Sequence, residues 1–174
     1  MTRPVAIAMP DAEPVLLPRR ALLALGIAGA VSTATRARAS TDAAEAESVV
    51  STYLAFVTAQ NAGNLDAVRA LFTHAPRFLW VSDGMSIWGR DAAIERMSLF
   101  RASEVWQVTP ALDRAVPIVL DERTAYLHLP LDLAIGARSR PDVLPFLVSM
   151  LCHRPEPTAP WSIAALFTTT RKSA

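Results

Sequence analysis

After residue 104 the chain shows no helical periodicity and instead contains four long segments rich in β-branched, aromatic and leucine residues. Only short polar or proline-containing stretches separate these segments. Because strands joined by short connections pair with their neighbours, this half of the chain predicts an antiparallel meander. Prolines at 110, 117, 130 and 145 each remove a ladder donor, so we expect bent strands with bulges or edge positions there. The four segments are 105–120, 123–135, 143–153 and 161–171.

The residues between 42 and 100 carry the helical patterns. Apolar side chains recur at spacings of three and four over 42–60, which predicts a first helix. A short second helix is expected over 64–72, capped by its first residue. Residues 77–88 indicate a hairpin around Asp83-Gly84, and a third helix is expected to start at Asp91. The predicted fold class is therefore α+β, with three helices preceding the long strands.

The first 39 residues have the layout of an export signal. They contain the pair Arg19-Arg20, a nearly uncharged run over 21–35, and Ala37-Arg38-Ala39 as a cleavage site. Adjacent arginines followed by leucines resemble the twin-arginine signal, and an ordinary secretory signal is the alternative. A membrane anchor is a further alternative, although a run of about fifteen residues is shorter than the roughly twenty that span a bilayer. We expect cleavage after Ala39 and a periplasmic or secreted domain over 40–174, with the export machinery as a partner of the leader.

Composition excludes several classes of protein. Apolar residues make up 52% of the chain, which is too many for intrinsic disorder. The 17 Lys and Arg residues are balanced by 16 Asp and Glu, so no basic surplus is available to bind nucleic acid. The single cysteine, Cys152, rules out an internal disulfide, and His74, His128 and His153 lack the spacing of metal ligands. The sequence has no phosphate-binding glycine loop, so neither a metal nor a cofactor is predicted.

Three short sequence motifs, in a fixed order along the chain, are similar to motifs of a known family. A small loop precedes Leu65-Asp66-Ala67, a hairpin leads to the helix start at 89–94, and Trp161-Ser162-Ile163 opens the last β segment. Over residues 45–172 they resemble the SnoaL-like branch of the nuclear-transport-factor-2-like (ketosteroid-isomerase-like) superfamily. The resemblance implies a cone-shaped, curved antiparallel sheet wrapped around three N-terminal helices, with a cavity at its open end and pairing of cones through the outer sheet face. Such folds include isomerases, cyclases, hydrolases, dehydratases and non-catalytic binding domains, so the fold does not decide the function.

One β segment carries the best polar constellation for catalysis. Alternation along 124–133 places Tyr126, His128 and Asp132 on one face and a leucine-rich row on the other. If the polar face lines an apolar cavity, Asp132 or His128 would act as a base and Tyr126 would donate a hydrogen bond to a developing oxyanion. The alternative is that the leucine row forms the core and the polar row faces solvent or a partner. Pro130 adds another alternative, a bulge that breaks the alternation.

Several large apolar side chains would provide walls for a hydrophobic ligand. Tyr53, near the middle of the first helix, would also project its hydroxyl into the cone. The alternative is that these side chains are ordinary core residues. The predicted ligand-binding residues are Tyr53, Trp80, Trp88, Met97, Phe100 and Trp106.

Two functions from different classes follow from these observations. The first is an exported SnoaL-like domain that binds a small apolar or amphipathic molecule in its cone, with cofactor-free acid/base chemistry of the isomerase, cyclase or hydrolase type as one use of the site. The second is a non-catalytic module of the cell envelope that forms a homodimer or docks another exported protein through its outer sheet face. Arginine at Leu129 separates the two roles of the leucine row, because it unfolds a core but only splits an interface.

Overall fold

The computed structural model describes residues 31–74, 77–82, 84–100 and 103–172. The predicted export signal, residues 1–39, lies outside the described residues except for the start of the first helix. Within the described residues the chain forms three helices, α1 (Val31–Asn61), α2 (Leu65–Leu71) and α3 (Arg90–Phe100), and a 3-10 turn at Leu112–Arg114. The strands are β1 (Leu79–Ser82), β2 (Met85–Trp88), β3 (Val105–Pro110), β4 (Val116–Asp121), β5 (Thr124–Ala137), β6 (Arg140–His153) and β7 (Ser162–Thr170).

The junction between α1 and α2 follows from three residues. α1 ends at Asn61, and Gly63 adopts a φ of 65°, a left-handed conformation that glycine reaches without strain. Asn64 then caps α2, because its Oδ1 accepts the N–H of Ala67 at 3.0 Å. The predicted position of this turn and of the second helix is confirmed.

The strands form a single curved sheet that does not close on itself. Its order is β2-β1-β7-β6-β5-β3, and β4 also pairs with β5. Every paired neighbour is antiparallel except β1 and β7, which are parallel. The α+β cone predicted from the sequence is confirmed. The sheet is mixed and not purely antiparallel, because the β1–β2 hairpin pairs with β7, the last strand of the chain, and not with β3.

Segment 105–120 was expected to be one strand, and this prediction is wrong. The segment forms β3 and β4 separated by the 3-10 turn, and both strands pair with β5 along the same edge. β5 has 14 residues and its two partners have six each, so the short strands lie end to end along the long one. Pro110 ends β3 and Pro117 lies in β4, which has no further partner among the described strands, as expected for residues without an N–H.

Pro130 does not produce the bulge that the sequence suggested. The register between β5 and β6 runs without a shift from Thr124 opposite His153 to Ala137 opposite Arg140. The carbonyl of Pro130 accepts the N–H of Ala111 at 2.9 Å, so its nitrogen faces the gap between β3 and β4 rather than β6. The missing donor therefore costs the β5–β6 ladder nothing, and the face alternation along β5 is preserved.

The leucine face of β5 forms the core. Its residues are buried on the concave side of the sheet, where α1 packs against β3, β4 and β5. A run of four aromatic rings, Tyr53, Phe56, Phe72 and Phe78, extends the core from α1 towards the base of β1, with ring centroids 4.1 to 6.1 Å apart. The concave residues of β5 are Ala125, Leu127, Leu129 and Leu131.

Two polar attachments hold α1 in place. At its C-terminal end, Asn61 Nδ2 donates to the Val108 carbonyl at 2.9 Å and Asn61 Oδ1 accepts the Val108 N–H at 2.8 Å. Near its middle, Glu45 Oε2 lies 3.0 Å from a guanidinium nitrogen of Arg154 and accepts the indole N–H of Trp161 at 3.2 Å. Arg154, only 7% exposed, also stacks on the Trp161 ring at 4.1 Å, so its buried charge is fully surrounded by partners.

We expect Leu129→Arg to prevent folding, because Leu129 is fully buried on the concave face and the new charge would have no partner among the apolar side chains around it. Circular dichroism and the yield of soluble protein measure this. His128→Arg, one residue along the same strand on the other face, is the matched control and should melt within a few degrees of the wild type. A folded Leu129→Arg variant with an unchanged melting temperature would contradict the assignment of this face to the core.

Candidate functional site

A cavity of about 240 Å³ lies between α1, α3 and the concave face of the sheet. It is located at the Asn61 end of α1, where the sheet curves away from the helix. Helices contribute Tyr53, Phe56, Gln60, Met97 and Phe100 to its lining. The sheet contributes Trp80, Ser82, Trp106, Val108, Leu131, Leu133, Ile135, Leu144, Phe146, Val148, Leu166 and Thr168.

The polar side chains on the cavity wall of the described chain are uncharged, and some of them are paired within the protein. Trp80 Nε1 donates to Thr168 Oγ1 at 3.3 Å, and Thr168 Oγ1 donates to the Val81 carbonyl at 3.2 Å. Gln60 Nε2 lies 3.9 Å from Met97 Sδ, a weak contact because a thioether is a poor acceptor. No Asp, Glu, His, Lys or Arg is found among the lining residues of the described chain.

Tyr53 has a buried hydroxyl without such a partner. It is 1% exposed, and its hydroxyl forms no hydrogen bond with any residue in the part of the chain that the structure describes. Burial raises the pKa of Tyr53 well above its usual value, because an ionised phenol would lose its hydration there. The group is therefore a neutral phenol, free to donate a hydrogen bond to an acceptor on a molecule in the cavity.

Five of the six predicted ligand-binding residues line the cavity: Tyr53, Trp80, Met97, Phe100 and Trp106. Trp88 does not, and the prediction for it is wrong. Trp80 faces Ile87 across the hairpin on the concave side, so Trp88, one residue further, points to the outer face and is 62% exposed. In the sequence Trp88 is a large apolar residue like the five that line the cavity, and only the register of the β1–β2 hairpin distinguishes it from them.

The polar row of β5 lies on the outer face of the sheet and does not line the cavity. His128 Nδ1 lies 2.9 Å from Ser149 Oγ on β6, and Asp132 pairs with Arg171 at 3.4 Å. Tyr126 is exposed beside them. Because successive residues of a strand point to opposite faces, burial of the leucine row turns all three outward together. The structure therefore realises the alternative in which the leucine row is the core.

Three polar lining residues, Gln60, Ser82 and Thr168, were not predicted from the sequence. Gln60 lies one turn after the last apolar residues of α1. Thr168 lies two residues after the buried Leu166 on β7, so the two side chains share one face of the sheet. Alternation could have assigned Thr168 to the inner face. Its proximity to Trp80 depends on the parallel pairing of β1 with β7, which no local pattern indicates.

The other reactive side chains offer no second centre. Cys152 is buried, and burial raises the pKa of its thiol to about 12, so it stays protonated at neutral pH. Across the described ranges, no three His, Cys, Asp or Glu side chains converge as a metal site would require. None of the described helices combines the length and hydropathy needed to cross a membrane.

We expect Tyr53→Phe to leave the free energy of unfolding unchanged or to raise it by up to about 1 kcal/mol, because it removes a buried hydroxyl that has no protein partner. Urea denaturation of the ligand-free protein measures this. Trp80→Phe is the matched comparison: it removes the indole donor to Thr168 and should lower stability. A loss of more than 1 kcal/mol in Tyr53→Phe would show that the hydroxyl has a structural partner.

Comparisons with known proteins bear on the fold. No protein-family model matches the chain, and no curated protein matches its sequence. Solved structures do match. A candidate dehydratase of the NTF2-like family from Streptomyces avermitilis aligns with a TM-score of 0.65 at 17% identity, covering 77% of this chain and 99% of its own. A ketosteroid isomerase-like protein from Erwinia carotovora atroseptica aligns with a TM-score of 0.60 at 14% identity, covering 74% and 98%.

A third structure, a candidate scytalone dehydratase from Novosphingobium aromaticivorans, has a TM-score of 0.64 at 11% identity and covers 77% of this chain and 89% of its own. None of these three is named as SnoaL-like, so that branch stays a prediction. Identities this low carry no residue-level correspondence and show the fold alone. The chain has the nuclear-transport-factor-2-like fold, a cone of curved sheet around three helices.

Proposed function

We propose that this domain binds a small, uncharged and largely apolar molecule in its cavity. The observation that carries the proposal is the wall itself: it is mainly apolar and aromatic, its few polar side chains are neutral, and one of them, the Tyr53 hydroxyl, has no partner in the described protein. A charged ligand would lose its hydration there without gaining an opposite charge. A molecule with one carbonyl, ether or hydroxyl oxygen fits, because Tyr53 can donate to it.

The size of the cavity limits the ligand. Its 240 Å³ is slightly below the roughly 300 to 1,000 Å³ typical of pockets for drug-sized molecules. The flat rings of Trp80, Phe100 and Trp106 on its wall suit a planar or ring-containing molecule. We therefore propose a compact ring compound or a short-chain compound rather than a large polycyclic one.

We propose binding rather than proton transfer as the role of the cavity. The neighbouring structures are named as candidate dehydratases and as isomerase-like, and both reactions move protons. Such chemistry needs a group that changes protonation near working pH. Among the described residues the cavity wall offers one titratable group of this kind, Tyr53, whose raised pKa keeps it neutral, while His128 and Asp132 lie on the outer face.

We expect an uncharged fluorescent probe, N-phenyl-1-naphthylamine, to bind one site per chain with enhanced emission. Leu144→Trp should weaken this binding at least tenfold, because Leu144 lines the cavity and the larger side chain would occupy part of it. Val143→Trp is the matched control, since Val143 is the adjacent residue of β6 and does not line the cavity. Fluorescence titration measures both. Equal affinity in the two variants would contradict binding in this cavity.

A second candidate role, self-association, rests on the outer face of the sheet. Two transverse rows cross four strands there: Val116, His128, Ser149 and Phe167 in one row, and Ile118, Tyr126, Leu151 and Ala165 in the other. Phe167 is 43% exposed, and Val116, Ile118 and Tyr126 are exposed as well. The nearby charges of Asp132 and Arg171 pair with each other, so the face would not repel a second copy. We propose that it forms a homodimer.

We also propose that the domain acts after export to the periplasm or outside the cell. The support comes from the sequence, from Arg19-Arg20, the apolar run and Ala37-Arg38-Ala39. Cleavage after Ala39 would fall within α1 and would leave its attachment at Glu45 and its core residues Val49 and Tyr53 in place. The mature domain could therefore keep the fold described here.

Native mass spectrometry of the protein exported from a cell expressing the full chain tests both proposals. We expect a dimer of chains that begin at Ser40. Phe167→Glu should give a folded monomer, because two carboxylates would be buried at the pair's centre. Leu99→Glu, an exposed apolar residue of α3, is the matched control and should stay dimeric. A wild-type monomer would contradict the homodimer, and an intact N-terminus would contradict cleavage.

A further inference from the structure

A second pocket of about 240 Å³ adjoins the cavity at the Asn61 end of α1. We call it the vestibule. The cavity and the vestibule share four lining residues, Gln60, Met97, Phe100 and Trp106, so these side chains form the wall between them. The other vestibule residues are Asn61, Ala62, Gly63, Leu65, Ser103 and Glu104.

The four residues of the shared wall contact one another through their side chains. The rings of Phe100 and Trp106 stack with centroids 4.9 Å apart and an interplanar angle of 20°, and Gln60 meets Met97 through the weak amide–thioether contact at 3.9 Å. Methionine and glutamine side chains change rotamer readily, because both have several unbranched torsions. A molecule too long for the cavity could therefore extend between Gln60 and Met97 without any movement of the backbone.

The two compartments differ in polarity. The cavity wall carries no charge, whereas the vestibule contains the carboxylate of Glu104 and the hydroxyl of Ser103. Asn61 uses one amide N–H and its Oδ1 on the Val108 backbone, which fixes the orientation of its side chain. Glu104 Oε2 accepts the Arg138 backbone N–H at 2.7 Å, and among the described residues the other carboxylate oxygen has no hydrogen-bond partner.

The charge of the vestibule is of one sign. Glu104 is the one charged residue among its lining in the described chain. Arg138 approaches it with its backbone and not with its guanidinium, and Arg96 lies over the Phe100 ring at 5.3 Å without lining either compartment. A negatively charged group in the vestibule would meet a like charge, and no Lys or Arg of the described residues lines the vestibule.

We propose that the cavity and the vestibule together form one site for an elongated amphipathic molecule whose apolar body occupies the cavity and whose polar end, an amine or an alcohol that donates hydrogen bonds, lies beside Gln60 and Glu104. This inference rests on the proposed binding function and deepens it by naming the end group. Molecules ending in a carboxylate are selected against, so a fatty acid is a poor ligand.

A matched series of probes tests the end group. Octylamine, 1-octanol and octanoate have the same apolar chain and differ in the charge of the end at neutral pH. At low ionic strength, where screening of the exposed Glu104 is small, octylamine should displace N-phenyl-1-naphthylamine with at least tenfold higher affinity than octanoate, with 1-octanol between them. Competition titrations with the full-length dimer or monomer, as purified, measure the three constants.

Glu104→Gln is the decisive variant, because glutamine still offers an oxygen to the Arg138 N–H and removes only the charge. It should reduce the preference for octylamine over octanoate to less than threefold. Glu95→Gln is the matched control, since Glu95 is an exposed carboxylate of α3 that lines neither compartment. It should preserve the wild-type preference.

The outcomes separate this inference from the proposed function. If N-phenyl-1-naphthylamine does not bind the wild type, the binding function itself is overturned. If the probe binds and Leu144→Trp weakens it, but octylamine and octanoate compete equally, the cavity stands and the two-compartment site is overturned. A preference for octylamine that survives in Glu104→Gln would also overturn the two-compartment site.

Discussion

The attachment of α1 inside the curved sheet is the constraint on which the rest of the structure depends. Asn61 ties the C-terminal end of the helix to β3, and Glu45 ties its middle to Arg154 and Trp161. Near Glu45 the Arg154 guanidinium stacks on the buried ring of Trp161. Near Asn61 the sheet curves away, and the space that α1 cannot fill there is the cavity. The position of the cavity thus depends on how α1 is attached to the sheet.

The long strand β5 makes that curvature possible. β4 and β3 pair one after the other with the same edge of β5. The chain leaves the sheet between these two strands at the 3-10 turn. Pro130 faces this gap, where its missing N–H is not needed. Two short partners can follow different directions along one long strand, which a single long partner could not. The leucines of β5 therefore wrap around α1, while its polar residues are displayed on the convex side.

The chemistry of the cavity shows why the fold does not decide the function. The same cone is found in proteins named for dehydration and isomerisation, whereas the wall described here has neutral side chains and a buried phenol as its free donor. Ionisable groups are present on the same strand, but they lie on the other face. One residue of register separates a strand that would present Asp132 to the cavity from one that presents Leu131 and Leu133.

The sequence by itself determined the three helices, the hairpin and five residues of the cavity wall, because helical periodicity, caps and large apolar side chains are local signals. It left open which face of β5 is buried, since the polar and leucine rows alternate equally well in isolation. Only the tertiary structure decided this, together with the division of 105–120, the parallel pairing of β1 with β7, and the vestibule beside Glu104. Each of these depends on contacts between residues far apart in the chain, whose free energy is set by what the completed sheet buries and not by any local preference.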